Sequence, residues 1–278
     1  MVEICGVSKY YGSQCVLDNV SLTILPNTIT SFIGPNGAGK STLLSIMSRL
    51  VKADTGTVKL DGKDVNAYST NEIAKRIATL RQTNHINLRL TVEELVSFGR
   101  FPYSQGRLTK EDREHIERAI DYMELGPMRH KYIGHLSGGQ KQAAFIAMVV
   151  AQDTDYILLD EPLNNLDMKH SVQIMQLLRR LVDELGKTIV VVVHDINFAS
   201  SYSDYIVALR NGRLIHSGPT EDIIHSHILR EIFDMHIHIE EIQKTRVCVY
   251  YHHGICNPFP HTTAAAASVE NRQEVTVK

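Results

Sequence analysis

Gly34-Pro35-Asn36-Gly37-Ala38-Gly39-Lys40-Ser41 fits the pattern G-x-x-x-x-G-K-[ST], a loop whose backbone N–H groups cradle phosphate at the start of a helix. Its flanks supply the context that the pattern demands. Residues 28–33, Thr-Ile-Thr-Ser-Phe-Ile, are short, β-branched and bounded by Pro26-Asn27 and Gly34-Pro35, which predicts a buried strand, and a helical pattern begins at Lys40. Glycines leave no Cβ between the backbone amides and phosphate oxygens. Lys40 then offers a point charge to β- and γ-phosphates, and the Ser41 hydroxyl reaches Mg²⁺. The candidates for binding a nucleotide are therefore Gly34, Pro35, Asn36, Gly37, Ala38, Gly39, Lys40, Ser41 and Thr42.

Outward from this loop, residues 156–159 and 188–193 are nearly continuous apolar runs of the kind buried on both faces of a parallel sheet, with a helical pattern over residues 170–185 between them. Alternation of strand and helix predicts an α/β core with mainly parallel strands. Thr91-Val92-Glu93-Glu94 is a capping box, and Thr109-Lys110-Glu111-Asp112 opens a charged helical stretch to about Leu125. These place an α-helical insertion at about residues 85–150, in which the charged run 110–118 reads as a solvated helix face. Asn211-Gly212, between strand-like residues 205–209 and 213–216, signals a hairpin. One domain over residues 1–251 is expected, with a disordered tail over residues 252–278.

The chain has 278 residues and a net charge of −2, with 43% hydrophobic and 22% charged residues. Such values exclude wholesale disorder and fibrous architecture, and they provide no electrostatic pull toward nucleic acid. No stretch approaches the roughly 20 apolar residues of a membrane-spanning helix, and the N-terminus lacks a secretory pattern. Cys5, Cys15, Cys248 and Cys256 show no metal-ligand spacing, so free thiols are expected.

Asp160 and Glu161 stand at the C-terminal end of the run 156–159, where ligands of open α/β sheets bind. Adjacent carboxylates on an extended chain point in different directions, which allows two roles. Asp160 suits a Mg²⁺ shell; Glu161 suits polarising a water for in-line attack on phosphorus. Taken alone, the pair also reads as a solvated strand end before Pro162.

Leu136-Ser137-Gly138-Gly139-Gln140 contains a capping box that would start the apolar helix of residues 143–151, and its bare glycines also make a good anion site. With the phosphate loop, this five-residue stretch resembles the signature of the nucleotide-binding subunit of ATP-binding-cassette transporters. The resemblance covers residues 2–251. It implies an antiparallel β part at the N-terminus, ATP and Mg²⁺ as ligands, and ATPase activity. It also implies that Tyr11 stacks on adenine, that Gln82 senses Mg²⁺ and the attacking water, and that His194 contacts the γ-phosphate while holding Glu161 in register. Asp167, in Asn165-Leu166-Asp167, corresponds to an interface carboxylate; it also reads as a helix N-cap. In this family two chains pair head to tail, so that Ser137, Gly138, Gly139 and Gln140 of one chain face the phosphate loop of the other across ATP.

Within the family, residues 97–105, Ser-Phe-Gly-Arg-Phe-Pro-Tyr-Ser-Gln, and residues 161–170, Glu-Pro-Leu-Asn-Asn-Leu-Asp-Met-Lys-His, resemble the ATPases of importers for petrobactin and other catecholate siderophores. That resemblance implies separate permease subunits, a substrate-binding protein met only indirectly, no nucleic-acid partner, and a peripheral place on the cytoplasmic face of the cell (inner) membrane. Importers of haem, cobalamin or metal ions are the alternative, and a soluble non-transport cassette stands behind them. A phosphate-loop kinase would have no use for residues 136–140. One departure stands out: where the family commonly has Arg shortly after the signature glutamine, this chain has Ala143, which implies weaker basal turnover.

Overall fold

The computed structural model describes residues 1–82 and 89–251. The first residues of the expected insertion, the expected tail at residues 252–278 and Cys256 lie outside the described residues. Chain order begins with β1 (Val2–Tyr11), β2 (Gln14–Ile24), β3 (Ile29–Ile33), α1 (Lys40–Met47), β4 (Thr55–Leu60), β5 (Lys63–Asp64), α2 (Thr70–Ala74) and β6 (Ile77–Leu80). A helical block follows, with α3 (Val92–Ser97), α4 (Phe101–Ser104), α5 (Lys110–Tyr122) and α6 (Gly138–Ala151). Alternation then resumes through β7 (Tyr156–Asp160), α7 (Met168–Leu185), β8 (Thr188–Val192), α8 (Ile196–Tyr202), β9 (Tyr205–Arg210) and β10 (Arg213–Pro219). Two short helices, α9 (Thr220–Ile223) and α10 (Ser226–Phe233), lead to a closing hairpin, β11 (His238–Ile242) and β12 (Thr245–Val249).

A main sheet of order β10-β9-β3-β8-β7-β6 is parallel except at β10, which pairs antiparallel with β9. Asn211 (φ +52°) and Gly212 (φ +76°) make the turn between those two strands, as the Asn-Gly pair predicts. A second, antiparallel sheet of order β2-β1-β4-β5 packs beside it.

Apolar side chains of the main sheet divide by the two-residue period of a strand. In β8 and just beyond it, Ile189, Val191 and Val193 join one core with Ile157 and Leu159 of β7, whereas Val190 and Val192 join a second core with Tyr156 and Leu158. The first core is covered by α3, α5, α6, α7, α8 and α10; α1 and the antiparallel sheet cover the second. Full burial of each such side chain contributes about 1.5–3 kcal/mol, enough to fix which face every strand residue takes. No helix among the described residues is long and apolar enough to cross a membrane.

The capping boxes expected at Thr91 and Thr109 open α3 and α5. The charged run on α5 is not solvated throughout, however. Asp112 is buried and accepts a hydrogen bond from Arg100 Nε at 2.9 Å, while Arg100 Nη1 donates to Ala151 O at 3.0 Å and the guanidinium lies 4.0 Å from the centroid of Tyr103. Burial pushes the Asp112 carboxyl up, but hydrogen bonds from Thr109 and the Arg100 charge hold it below the usual carboxylate range. This pair ties α5 to the C-terminal end of α6. Removing one partner of such a pair leaves a buried charge alone, so Arg100→Met is expected to lower the unfolding free energy by about 3–5 kcal/mol in chemical denaturation at neutral pH. Because the folded pKa of Asp112 is depressed, the deficit relative to the parent shrinks as pH falls through that folded value.

Candidate active site

One residue row sets the ends of three strands flush. Val192 of β8 pairs with Phe32 of β3 on one side and with Asp160 of β7 on the other. Gly34, Glu161 and His194 therefore leave the sheet at the same edge, the C-terminal edge at which open α/β sheets bind ligands. Gly34 holds φ at +134°, and a Cβ there would lie 2.0 Å from Leu209 O, so no other residue fits this exit from β3.

Gly39 is the N-cap of α1 and makes no side-chain capping bond, which leaves the first-turn amides of α1 available to an anion. Pro35, Asn36, Gly37 and Ala38 form the loop before it, and Thr42 lies in the first turn. Lys40 is buried; its Nζ donates to Gly34 O at 2.7 Å and to Pro35 O at 2.9 Å. Burial lowers its pKa, against the opposing charges of Glu161 and Asp160. Ser41 Oγ donates to Asp160 Oδ1 at 2.7 Å. The Asp160 carboxyl is raised, first by burial and then by the Glu161 charge, despite the Ser41 bond and Lys40. A hydroxyl and a carboxylate in contact, beside a cradle of amides, form an oxygen donor set that fits Mg²⁺ together with phosphate oxygens.

Glu161 stands in the left-handed region at φ +51°, turning its side chain away from that of Asp160. Its Oε1 lies 2.7 Å from His194 Nε2, and its Oε2 accepts from Gln82 Nε2 at 2.5 Å. Three residues far apart in sequence, Gln82, Glu161 and His194, thus converge on one carboxylate. Asn164 Nδ2 also donates to Glu161 Oε2, a contact that sequence reasoning did not assign. A signal existed in retrospect, since the carboxamide follows the carboxylate by three residues across Pro162, a spacing at which a turn closes; Asn164 N donates to Glu161 O at 3.2 Å.

The remaining candidates form a second group. Ser137 is the N-cap of α6: its Oγ accepts from Gln140 N at 3.3 Å, and Gln140 Oε1 accepts from Ser137 N at 3.1 Å. Asp167 is the N-cap of α7, accepting from His170 N at 2.9 Å, and both its oxygens lie 2.8 Å from His170 Nδ1. The backbone and ring N–H groups of His170 hold the Asp167 carboxyl below its ordinary range. The His170 ring presses on Gly139, where a Cβ would come within 2.3 Å of Cδ2, so the signature stretch and Asp167 form one packed unit. Ala143, one turn further along α6, lines a cavity of about 340 Å³ with Gly139, Gln140 and His170. No hydrogen bond or ion pair among the described residues joins this unit to residues 34–42. Tyr11 is about half exposed at the end of β1, with Lys9 Nζ 5.5 Å from its ring centroid. Its hairpin runs close to the loop: a Cβ on Gly39 would lie 2.8 Å from Val16 O.

The sequence model of the ABC transporter family matches residues 17–164. The petrobactin import ATP-binding protein YclP of Bacillus subtilis is 63% identical over 251 residues, which covers 90% of this chain and 100% of the relative. The petrobactin import ATP-binding protein FatE of Bacillus anthracis is 46% identical over 250 residues, again 90% of this chain and 100% of the relative. Among solved structures, a dimeric bacterial ABC transporter cassette matches with a TM-score of 0.71 at 34% identity, over 79% of this chain and 99% of that one. The phosphate loop, the acid pair at the end of β7 and these likenesses agree: the chain belongs to the ABC transporter family, as one of its ATP-binding, ATPase subunits.

Proposed function

We propose that this chain is the ATP-hydrolysing subunit of an importer for iron–siderophore complexes, working as a homodimer beneath separate permease subunits on the cytoplasmic face of the membrane. The observation that carries the catalytic part is the Glu161 carboxylate, held by His194 and Gln82 one residue beyond the Ser41–Asp160 pair. The siderophore part is supported by the petrobactin relatives, whose likeness runs over their whole length.

In this reading Lys40 exchanges its two bonds to backbone carbonyls for bonds to β- and γ-phosphate oxygens, in which both partners carry charge. The amides at the start of α1 take up the remaining phosphate charge. Ser41, Asp160 and Gln82 would hold Mg²⁺, which when bound would neutralise charge that develops on the phosphates. Tyr11 stacks on the adenine. Glu161 orients a water and takes its proton, while His194 keeps the carboxylate aimed and contacts the γ-phosphate.

Ser137, Gly138, Gly139 and Gln140 of a second copy close over the same nucleotide, and Asp167 meets that copy across the interface. The anion then sits between two helix N-termini. ATP binds the closed pair better than the open one, and its hydrolysis removes the bridge, which supplies the work done on the permease. A substrate-binding protein delivers the chelate on the far side and meets this chain only through the permease.

Glu161→Gln is expected to lower ATPase kcat by about 10²- to 10⁴-fold while retaining ATP, and to accumulate an ATP-dependent dimer visible by size-exclusion chromatography. A variant that stays monomeric in saturating ATP and Mg²⁺ would count against the sandwich. Reconstitution with a candidate permease tests the cargo: a ferric catecholate siderophore with its binding protein is expected to stimulate hydrolysis. Stimulation by haem, cobalamin or a free metal ion instead would overturn the siderophore assignment.

A further inference from the structure

The start of α6 and the segment before α7 lie against each other, and one side chain touches both. A Cβ on Gly138 would stand 3.6 Å from Asn165 O, and one on Gly139 would stand 2.3 Å from His170 Cδ2 and 2.5 Å from its Cγ. Gly139 is buried, so the imidazole takes the space that a side chain at 139 would need. The other edge of the same ring meets Asp167, with Nδ1 2.8 Å from each carboxylate oxygen. An ionised carboxylate only accepts, so Nδ1 carries the proton of this contact.

Both ends of the ring lead to groups that have work in the sandwich. Ser137 and Gln140 cap each other, which leaves the Gly138 and Gly139 amides, without partners inside the helix, for an anion. The Asp167 carboxylate is exposed. Packing alone does not confine the half-buried ring between them, because the cavity of about 340 Å³ shared with Ala143 and Gln173 opens beside it. The bond to Asp167 keeps the ring out of that space and under Gly139.

We infer that His170 is a positioning residue that couples the signature amides to Asp167, so that seating Gly138 and Gly139 on the second copy's nucleotide and meeting that copy with Asp167 are one event. This inference rests on the reading of the closed pair as an ATP sandwich. Donors aimed at a phosphate lose most of their effect when displaced by about 1 Å, which gives the ring's hold on the first turn of α6 its value.

The test is the ATP-dependent dimer, measured by sedimentation equilibrium in saturating ATP and Mg²⁺ on the full chain carrying Glu161→Gln. Adding His170→Asn keeps a short donor near the place of Nδ1 but withdraws the ring from Gly139. Adding His170→Phe keeps a ring there but has no N–H for Asp167. Because the coupling needs both ends, each double variant is expected to weaken the dimer about tenfold, on the order of one hydrogen bond to a charged group, while the ATP affinity of the dilute monomer equals that of Glu161→Gln alone. With Glu161 restored, ATPase turnover per chain is expected to fall at low protein concentration and to recover at high concentration. Undiminished dimerisation in either double variant overturns the coupling, since one contact then suffices; so does a loss of monomer ATP affinity that accounts for the weaker dimer. Absence of a dimer in Glu161→Gln alone overturns the sandwich itself, so the two failures are distinguishable.

Discussion

The phosphate loop, the acid pair and His194 all depend on the pairing of three parallel strands in one register. Because Val192 stands between Phe32 and Asp160, the chain leaves β3, β7 and β8 at one level, and a phosphate loop, an acid pair and a histidine emerge side by side. A slip of one residue in β8 would turn Val191 and Val193 into the opposite core and remove His194 from Glu161. The apolar division of β8 between two cores enforces the register, so packing on both faces of the sheet secures the chemistry at its edge.

Charge burial is the counterweight. Lys40, Asp160 and Glu161 share a partly enclosed space in which two carboxylates face one ammonium, and burial depresses the ionisation of both Lys40 and Asp160. The two carbonyl bonds of Lys40 and the Ser41–Asp160 bond offset part of that cost. A triphosphate would bring negative charge to Lys40, and a divalent ion, if bound, would bring positive charge to the carboxylates.

The sequence announced what is local. The phosphate loop, the β-branched strands, the capping boxes at Thr91, Thr109 and Ser137 and the Asn211-Gly212 turn all depend on neighbours within a few residues, and each has a composition signal. Gln82 and His194 carried no such signal and were reached through family resemblance; the structure brings both to Glu161. The Asn164 contact was only faintly readable: the three-residue spacing across Pro162 hints at a turn, but a glutamate gives no hint that it will adopt positive φ. The burial of Asp112 escaped for a related reason: on α5 it looks like one more charge among many, and only Arg100, which stands 12 residues earlier, explains why it turns inward.

The fit of His170 against Gly139 has an evolutionary corollary. With 2.3 Å between the ring and an added Cβ, the two positions are coupled: a larger residue at 139 requires the His170 ring to move aside or to be replaced by something smaller. Truncating His170 in turn strips Asp167 of its ring partner. Substitution at these sites is therefore epistatic, because room for a side chain at 139 comes at the expense of the ring that clasps Asp167.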